Sequence, residues 1–405
     1  MKIAFYIPNK NISDIDLSTV DEGNPGIGGS EFSAVLIASN LSLKTNFEIF
    51  VFCDTRSVFP ATLKWQVCGD LIGAIKQSIK ENIDYIVVDA KLLKKEILCK
   101  FEHVKFIAWA NTFIPENYLD FFAKMNNVIS IVNVGKEQMD LTKSHMIYKK
   151  STYIYNAVPM KMLAEFPNLS LNRDRKNNIC YIGSLHPAKG FQYLAKAWPQ
   201  VLLQVPDAQL FIIGSGNLYG RNSKLGKWGI ANESFENEFM PFLTKNDKII
   251  DSVHFLGILG HEKYAVLEKC KVGVPNPSGV SETFGYTAVE MQLMGCSVTT
   301  IKCPGYIDTV FNKENLYDNT NQLSAYIIKL LNENNSSDNS LVYKYLDAFS
   351  VENVVDKWVA FLLSLEKKTF FPVKKNKDLF LYKLLYYKKR FKYLLKFSLK
   401  YLLKK

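Results

Sequence analysis

Pro277-Ser278-Gly279-Val280-Ser281-Glu282-Thr283-Phe284-Gly285-Tyr286-Thr287-Ala288-Val289-Glu290 is the stretch on which the reading of this chain turns. It reads as a strand end, a turn and the first turns of a helix. The apolar run 271–275 before it supplies the strand, and 286–295 carries the helix. A glycine at 285 lets the backbone approach a bound anion closely. The N–H groups of 284–287 would then point at that anion from a helix N-terminus, aided by the helix dipole. Glu282 and Glu290, separated by seven residues, flank the cradle. Carboxylates do not bind phosphate, so the hydroxyls of a sugar or ribose are their natural partners, through charge-assisted hydrogen bonds. Another reading of Glu290 stays open: Thr287-x-x-Glu290 also fits a capping box, in which the glutamate only satisfies a backbone N–H.

Outward from this loop the same rhythm recurs. On the N-terminal side, strands are expected at 178–183, 208–213 and 252–256, with a further one at 297–301 beyond it, and helices at 190–204 and 261–270. Between 217 and 248 lies a polar and aromatic insertion, of which 233–245 reads as helix. A connection of that length is often functional. Earlier in the chain, short β-rich runs at 2–7, 47–53, 84–89, 104–109, 128–132 and 152–155 alternate with helical patterns at 30–43 and 70–81. The polar stretch 167–178 between the two series is the expected linker. Strand–helix alternation implies parallel βαβ units with helices on both faces. Two successive open α/β sheets place the binding site in the cleft between them, beyond the carboxyl ends of the strands.

Composition bounds the rest. At 405 residues and 48% hydrophobic content, the chain can bury more than one core. Its opening residues, Met1 to Pro8, read as a first buried strand rather than a leader segment. No apolar run reaches the ~18 residues that suggest a membrane-spanning helix. Seven scattered cysteines (53, 68, 99, 180, 270, 296 and 303) contain no CxxC pair and fit reduced thiols in the cytoplasm. The net charge of +11 is unevenly placed: residues 366–405 hold 14 Lys/Arg against two acids, or +12, which leaves about −1 for residues 1–365.

Residues 277–290 resemble the E-x7-E signature of retaining GT-B glycosyltransferases, especially glycosyltransferase family 4. Four further segments resemble that family in order. Gly28-Gly29-Ser30-Glu31 is similar to its first-strand glycine loop, and Tyr155-Asn156-Ala157-Val158-Pro159 to the run that ends its first domain. Tyr181-Ile182-Gly183-Ser184-Leu185-His186-Pro187-Ala188-Lys189-Gly190 is similar to its G-R-L-x-x-x-K-G motif, and Ile212-Ile213-Gly214-Ser215-Gly216 to its G-x-G turn. The resemblance covers roughly residues 1–365. It implies an α/β protein of GT-B architecture, two Rossmann-like domains facing a central cleft. The expected divisions are an acceptor-binding domain at 1–167, a nucleotide-sugar-binding domain at 168–350, a final helix at 351–366 returning toward the first domain, and a basic amphipathic tail at 367–405.

The roles implied by the resemblance fall on named residues. Lys189 would neutralise the donor's pyrophosphate as a flexible point charge, Glu282 would hold hydroxyls of the transferred sugar, and Glu290 the ribose. The donor side would further include Gly28, Gly29, Ser184, Gly214, Gly257, Thr283, Phe284, Gly285, Tyr286 and Thr287. The backbone at Phe255-Leu256-Gly257 would meet the base. Ser30, Glu31, Trp109 and Asn111 are the acceptor-side candidates. Plainer readings stand beside these: Lys189 as a solvated first-turn lysine, and Gly28 and Gly29 as turn glycines before a Ser30 N-cap. Two positions depart from the family. Ser184 stands where it usually has an arginine, with His186 or Arg221 the nearby replacements. Ile107-Ala108-Trp109-Ala110-Asn111-Thr112 occupies the place of a cleft-facing histidine.

The implied reaction is transfer of a sugar from a nucleotide-sugar donor to a glycan or lipid-linked acceptor, with retention at the anomeric carbon. The donor phosphate would help deprotonate the acceptor. With no Asp-x-Asp at a strand end, no cofactor and no obligatory metal are expected. Other readings of the same architecture are a nucleotide-sugar epimerase or hydrolase, or a non-catalytic sugar-nucleotide-binding protein.

The tail points to a membrane surface. From 379 to 403, 17 of 25 residues are Leu, Phe or Tyr, too apolar for a merely solvated charge run. Lys392, Lys396, Lys400 and Lys404 form one helical stripe, with Phe391, Leu394, Leu395 and Leu402 largely opposite. Such a helix lies flat in an anionic interface, which makes the chain cytoplasmic and peripherally membrane-associated through 379–405. The tail also fits packing on the body or a partner chain. A nucleic-acid partner is not expected, because the near-neutral body offers no extended basic surface.

Overall fold

The computed structural model describes residues 1–166, 175–218, 220, 224–333 and 339–366. The first half is built on seven parallel strands: β1 (Lys2–Ile7), β2 (Glu48–Cys53), β3 (Lys64–Val67), β4 (Tyr85–Asp89), β5 (Phe106–Ala110), β6 (Val128–Asn133) and β7 (Ser151–Tyr153). Their order is β3-β2-β1-β4-β5-β6-β7. β1 shows why its run is apolar throughout. Ile3, Phe5 and Ile7 enter one hydrophobic cluster while Ala4 and Tyr6 enter another on the opposite face, so neither face is wet.

Helix α1 (Gly29–Lys44) follows the glycine loop after β1, and α2 (Leu71–Lys80) starts where Asp70 accepts a hydrogen bond from the Gly73 amide at 2.7 Å. Six of the strands match the sequence expectation to within a few residues. β3 was not expected. All four of its side chains are exposed, so a sheet-edge strand with no buried face left no alternation to read.

The second half repeats the plan with β8 (Asn178–Ile182), β9 (Gln209–Ile213), β10 (Val253–Gly257), β11 (Val272–Gly273) and β12 (Ser297–Val298), in the order β10-β9-β8-β11-β12. α3 (Phe191–Gln204) covers the expected 190–204. The run 297–301 is broken: Thr299 is fully buried and donates to the Asn315 carbonyl at 2.8 Å. Residues beyond it, Thr300–Ile301, pair with Leu316–Tyr317 instead. The helix expected at 261–270 is confined to Lys263–Leu267.

Among the described residues of the insertion, only Glu233–Phe239 is α-helical, and Thr244–Lys245 turns back on Lys248–Ile249 as a short antiparallel pair. The insertion is organised by Glu236, buried at 1% exposure, whose carboxylate accepts from the amides of Trp228, Ile230 and Ala231 at 2.8–3.0 Å. Of the expected linker, residues 167–174 lie outside the described residues and Asn178 already opens β8.

α4 (Val351–Glu366) packs on the first half. Trp358 lies 6.2 Å from the Phe5 ring and 4.9 Å from Trp109. Asp356 pairs with Lys44 of α1 at 2.6 Å. The cluster beneath α1 runs on without a break through Phe284, Ala288 and Tyr306 to Trp358, so the two halves share one core below the cleft. No described helix is long and apolar enough to cross a membrane. The basic tail, 367–405, lies outside the described residues.

Candidate functional site

In each sheet the strand order reverses next to the first strand, β1 beside β4 and β8 beside β11. These are the crevices where open α/β sheets take ligands. Between the carboxyl ends of the two sheets lies a cavity of about 280 Å3.

The loop after β11 forms one wall. Gly279 and Ser281 adopt left-handed backbone conformations, with φ of 63° and 58°. The second is a strained state for a residue with a side chain. Ser278 ties the loop down by donating to the Ala188 carbonyl at 2.6 Å. The loop ends at Gly285, φ 87°, which is the N-cap of helix α5 (Tyr286–Leu293) and supplies no side-chain cap. The first amides of a helix have no intrahelical acceptor. Here those of Gly285, Tyr286 and Thr287 belong to residues that line the cavity, with Thr283 and Phe284 beside them.

The glycine at 285 has a different local cause from the one expected. A Cβ there would stand 2.7 Å from the Tyr306 ring, on α6 (Pro304–Thr309). Sterics behind the loop, together with the positive φ, require it. The capping-box reading of Glu290 is also set aside. With Gly285 as N-cap, Thr287 is the second helical residue, and Glu290 pairs elsewhere.

Lys189 ends a short turn, Pro187–Lys189, whose first amide is capped by the His186 imidazole. Gly190 follows with φ 72°, and a Cβ there would come 2.5 Å from the Ser278 amide. This close approach brings the two loops together, and Lys189 Nζ lies 3.3 Å from Glu282 Oε2. Asn276 Nδ2 donates to the same oxygen at 2.9 Å. Ser184 is buried and lines the cavity. His186 is exposed and engaged in its cap, so it does not stand in for the family arginine. Arg221 lies outside the described residues.

Glu290 meets a residue that the sequence reading did not single out. Lys263 Nζ lies 2.6 Å from Glu290 Oε1, the two side chains only 5% and 6% exposed. The Tyr264 hydroxyl donates to the same oxygen at 3.2 Å. Within an expected helix rich in charge, Lys263 reads as an ordinary solvated lysine, and nothing local marks it. Burial of Tyr264, reinforced by the adjacent Glu290 charge, pushes its hydroxyl well above the usual tyrosine range.

From the first half, Gly29, Ser30 and Asn111 line the cavity, joined by Asn24 and Gly26, which the sequence did not mark, and by Asn156 of the run that ends the first half. Asn111 sits just past the end of β5. Its Nδ2 reaches toward Asp89 Oδ2 at 3.4 Å, and its buried Oδ1 has no hydrogen-bond partner. Its carbonyl accepts from Thr283 Oγ1 at 2.6 Å across the cleft.

Phe255, Leu256 and four other expected residues do not line the cavity. Trp109 is a core residue, 2% exposed and packed edge-on to Phe5 and Trp358; the inward pleat of β5 turns it away from any acceptor. Gly28 is the N-cap of α1, and Glu31 lies in the first turn of that helix. Gly257 is exposed, with φ 72°, and its carbonyl accepts from the Gly214 amide at 2.7 Å. Its neighbours Ile258 and Leu259 reach the cavity instead, as does Gly214, where a Cβ would strike the Gly183 carbonyl.

Beyond the Asn111–Thr283 contact, the Asp308 carboxylate of α6 crosses between the halves, accepting from the Glu137 amide at 2.9 Å and the Tyr155 hydroxyl at 3.4 Å. Burial pushes this carboxyl up to about 6. His261 Nε2 lies 2.9 Å from Glu165 Oε2 at the rim.

Residues 164–344 match the family model described as Glycosyl transferases group 1. An uncharacterized glycosyltransferase of Haemophilus influenzae is 24% identical over 224 residues, or 53% of this chain and 56% of that protein. The chain therefore spans just over half the length of this curated relative. Among solved structures, Alr3699/HepE of Anabaena with UDP and glucose superposes with a TM-score of 0.61 at 15% identity, covering 90% of this chain and 100% of that one. AviGT4, a glycosyltransferase involved in avilamycin A biosynthesis, gives 0.62 at 13% identity, over 91% and 99%. The fold is thus the GT-B fold of these proteins.

Proposed function

We propose that this chain is a retaining glycosyltransferase that carries a sugar from a nucleotide-sugar donor to a glycan or lipid-linked acceptor at the cytoplasmic membrane face, in cell-surface polysaccharide or glycolipid synthesis. One observation carries the reading: an uncapped helix N-terminus at 285–287, Lys189 and two lysine-paired carboxylates surround a single cavity between two open sheets. An anion suits the amides and the lysine, and hydroxyls suit the carboxylates. A sugar nucleotide presents both. The group 1 match and the UDP and glucose held by the Anabaena relative support the same donor class.

In this proposal the diphosphate lies against the amides of 285–287 and recruits Lys189. Glu282, oriented by Asn276, accepts from hydroxyls of the transferred sugar, and Glu290 accepts from the ribose. The bond from the anomeric carbon to the phosphate oxygen breaks as the acceptor oxygen approaches from the same face. The acceptor's proton passes to the departing phosphate oxygen, and the negative charge left on the diphosphate is stabilised by Lys189 and the helix N-terminus. Acceptor and donor both enter the cleft, with Asn111 and Ser30 on the acceptor side. No resident metal is needed. The membrane face is supported by the sequence of 379–405.

The test is product formation from uridine, guanosine and adenosine diphosphate sugars with a lipid-linked acceptor. Lys189→Ala should lower turnover by about 10²–10³-fold, the cost of losing one preorganised charge stabiliser. Rapid consumption of donor without acceptor, or full activity in Lys189→Ala and Glu282→Ala, would overturn the proposal.

A further inference from the structure

The two ion pairs in the cavity differ in kind. Lys189 and Glu282 are 3.3 Å apart with side chains 26% and 15% exposed, whereas Lys263 and Glu290 are 2.6 Å apart with side chains 5% and 6% exposed. The first pair is long and partly wet, so an arriving anion can draw its lysine away. Separating the second would strand two charges in a low-dielectric interior. Lys263 is therefore not a second phosphate cation in waiting, and it stays with Glu290.

The geometry around Glu290 shows what that pairing does. Lys263 Nζ and the Tyr264 hydroxyl both converge on Oε1. Two donors on one oxygen fix the carboxylate's orientation. Oε2 takes no hydrogen bond from the described residues, and Glu290 and Lys263 both line the cavity. The pair also sets the electrostatics. Without Lys263, the carboxylates of Glu282 and Glu290 would face Lys189 alone, and a diphosphate would enter against net negative charge.

We propose that Lys263, together with Tyr264, is a positioning residue for the donor's nucleoside: it turns Glu290 so that Oε2 accepts a ribose hydroxyl, and it cancels the carboxylate's charge beside the diphosphate. The inference rests on the donor reading above and deepens it. It assigns ribose discrimination to a residue that acts only through Glu290.

Calorimetric titration of the full chain with UDP, GDP and ADP, and with the 2′-deoxy and 3′-deoxy forms of whichever binds tightest, tests this. The wild type should prefer the ribonucleotide to at least one deoxy form by tenfold or more. Lys263→Met should weaken ribonucleotide binding at least tenfold and lose that preference, and Lys263→Arg should restore part of both. Glu290→Gln should lose the preference too, and Lys263→Met/Glu290→Gln should match Glu290→Gln alone. A merely structural lysine would lower the melting temperature without moving the ribo-to-deoxy ratio. Unaltered preference in Lys263→Met would overturn the assignment. If that variant does not fold, a loss in the double variant beyond Glu290→Gln alone would do so. Failure of the wild type to bind any of the three nucleotides would overturn the donor reading and this assignment with it.

Discussion

Gly285 shows how much can hang on the absence of one side chain. Its positive φ and the Tyr306 ring behind it leave no room for a Cβ, and its position as N-cap exposes the first amides of α5. Gly285→Ala should therefore cost about 1–3 kcal/mol of stability from backbone strain and the forced shift of Tyr306. It should also weaken nucleotide binding, because the loop that carries Glu282 must move. Chemical denaturation together with nucleotide titration would check both, and an alanine variant of wild-type stability would show that the loop can relax. Lys263 makes the complementary point. Its chemistry comes from burial against Glu290 rather than from any local pattern, so it is visible only once the chain is folded.

At the scale of elements, the sequence announced what is buried on two faces and missed what is not. The core strands β1, β2, β4, β6, β8 and β9 are continuous apolar runs bounded by turns, and they lie where that pattern placed them. β3 is wholly exposed, and Thr299 breaks 297–301 because its buried hydroxyl finds a carbonyl partner outside the sheet. Neither fact leaves a periodic trace. The strand end, turn and helix start of 277–290 were legible because the apolar run before Gly279 and the helical pattern after Gly285 frame two glycines, both of which take positive φ. Trp109 was misplaced because β5 ends at Ala110: Asn111, past the strand end, reaches the cavity, while the indole still lies within the strand and packs against Phe5 and Trp358.

Glu236 carries a prediction at this scale. Its carboxylate satisfies three amides inside the insertion. Glu236→Ala leaves these donors unsatisfied, so it should destabilise the second half by about 3 kcal/mol or more. Thermal denaturation would measure it, and a change within ~0.5 kcal/mol would contradict the carboxylate's organising role.

Across the whole molecule, the halves are joined by a shared core and by polar contacts over the cleft, those of Asp308 among them. Burial pushes its carboxyl up to about 6 from the ordinary 3.8, so between these values the folded protein binds more protons than the unfolded chain. Stability from this group is fully present below about 3.8, falls as pH rises toward about 6, and is flat above. Asp308→Asn keeps an oxygen for the Glu137 amide and removes the titration. Its melting temperature should gain on the wild type as pH rises through that window. Parallel melting curves for the two proteins from pH 4 to 7 would contradict the role given to burial.

The central claim is that a diphosphate lodges at the N-terminus of α5 with Lys189 reaching it. A crystal structure of the chain with a bound sugar nucleotide tests that most directly. The account predicts phosphate oxygens within hydrogen-bond distance of the amides of 285–287, and Lys189 Nζ drawn from Glu282 onto the diphosphate. A nucleotide seated away from that helix, or bound there while Lys189 remains on Glu282, would contradict it.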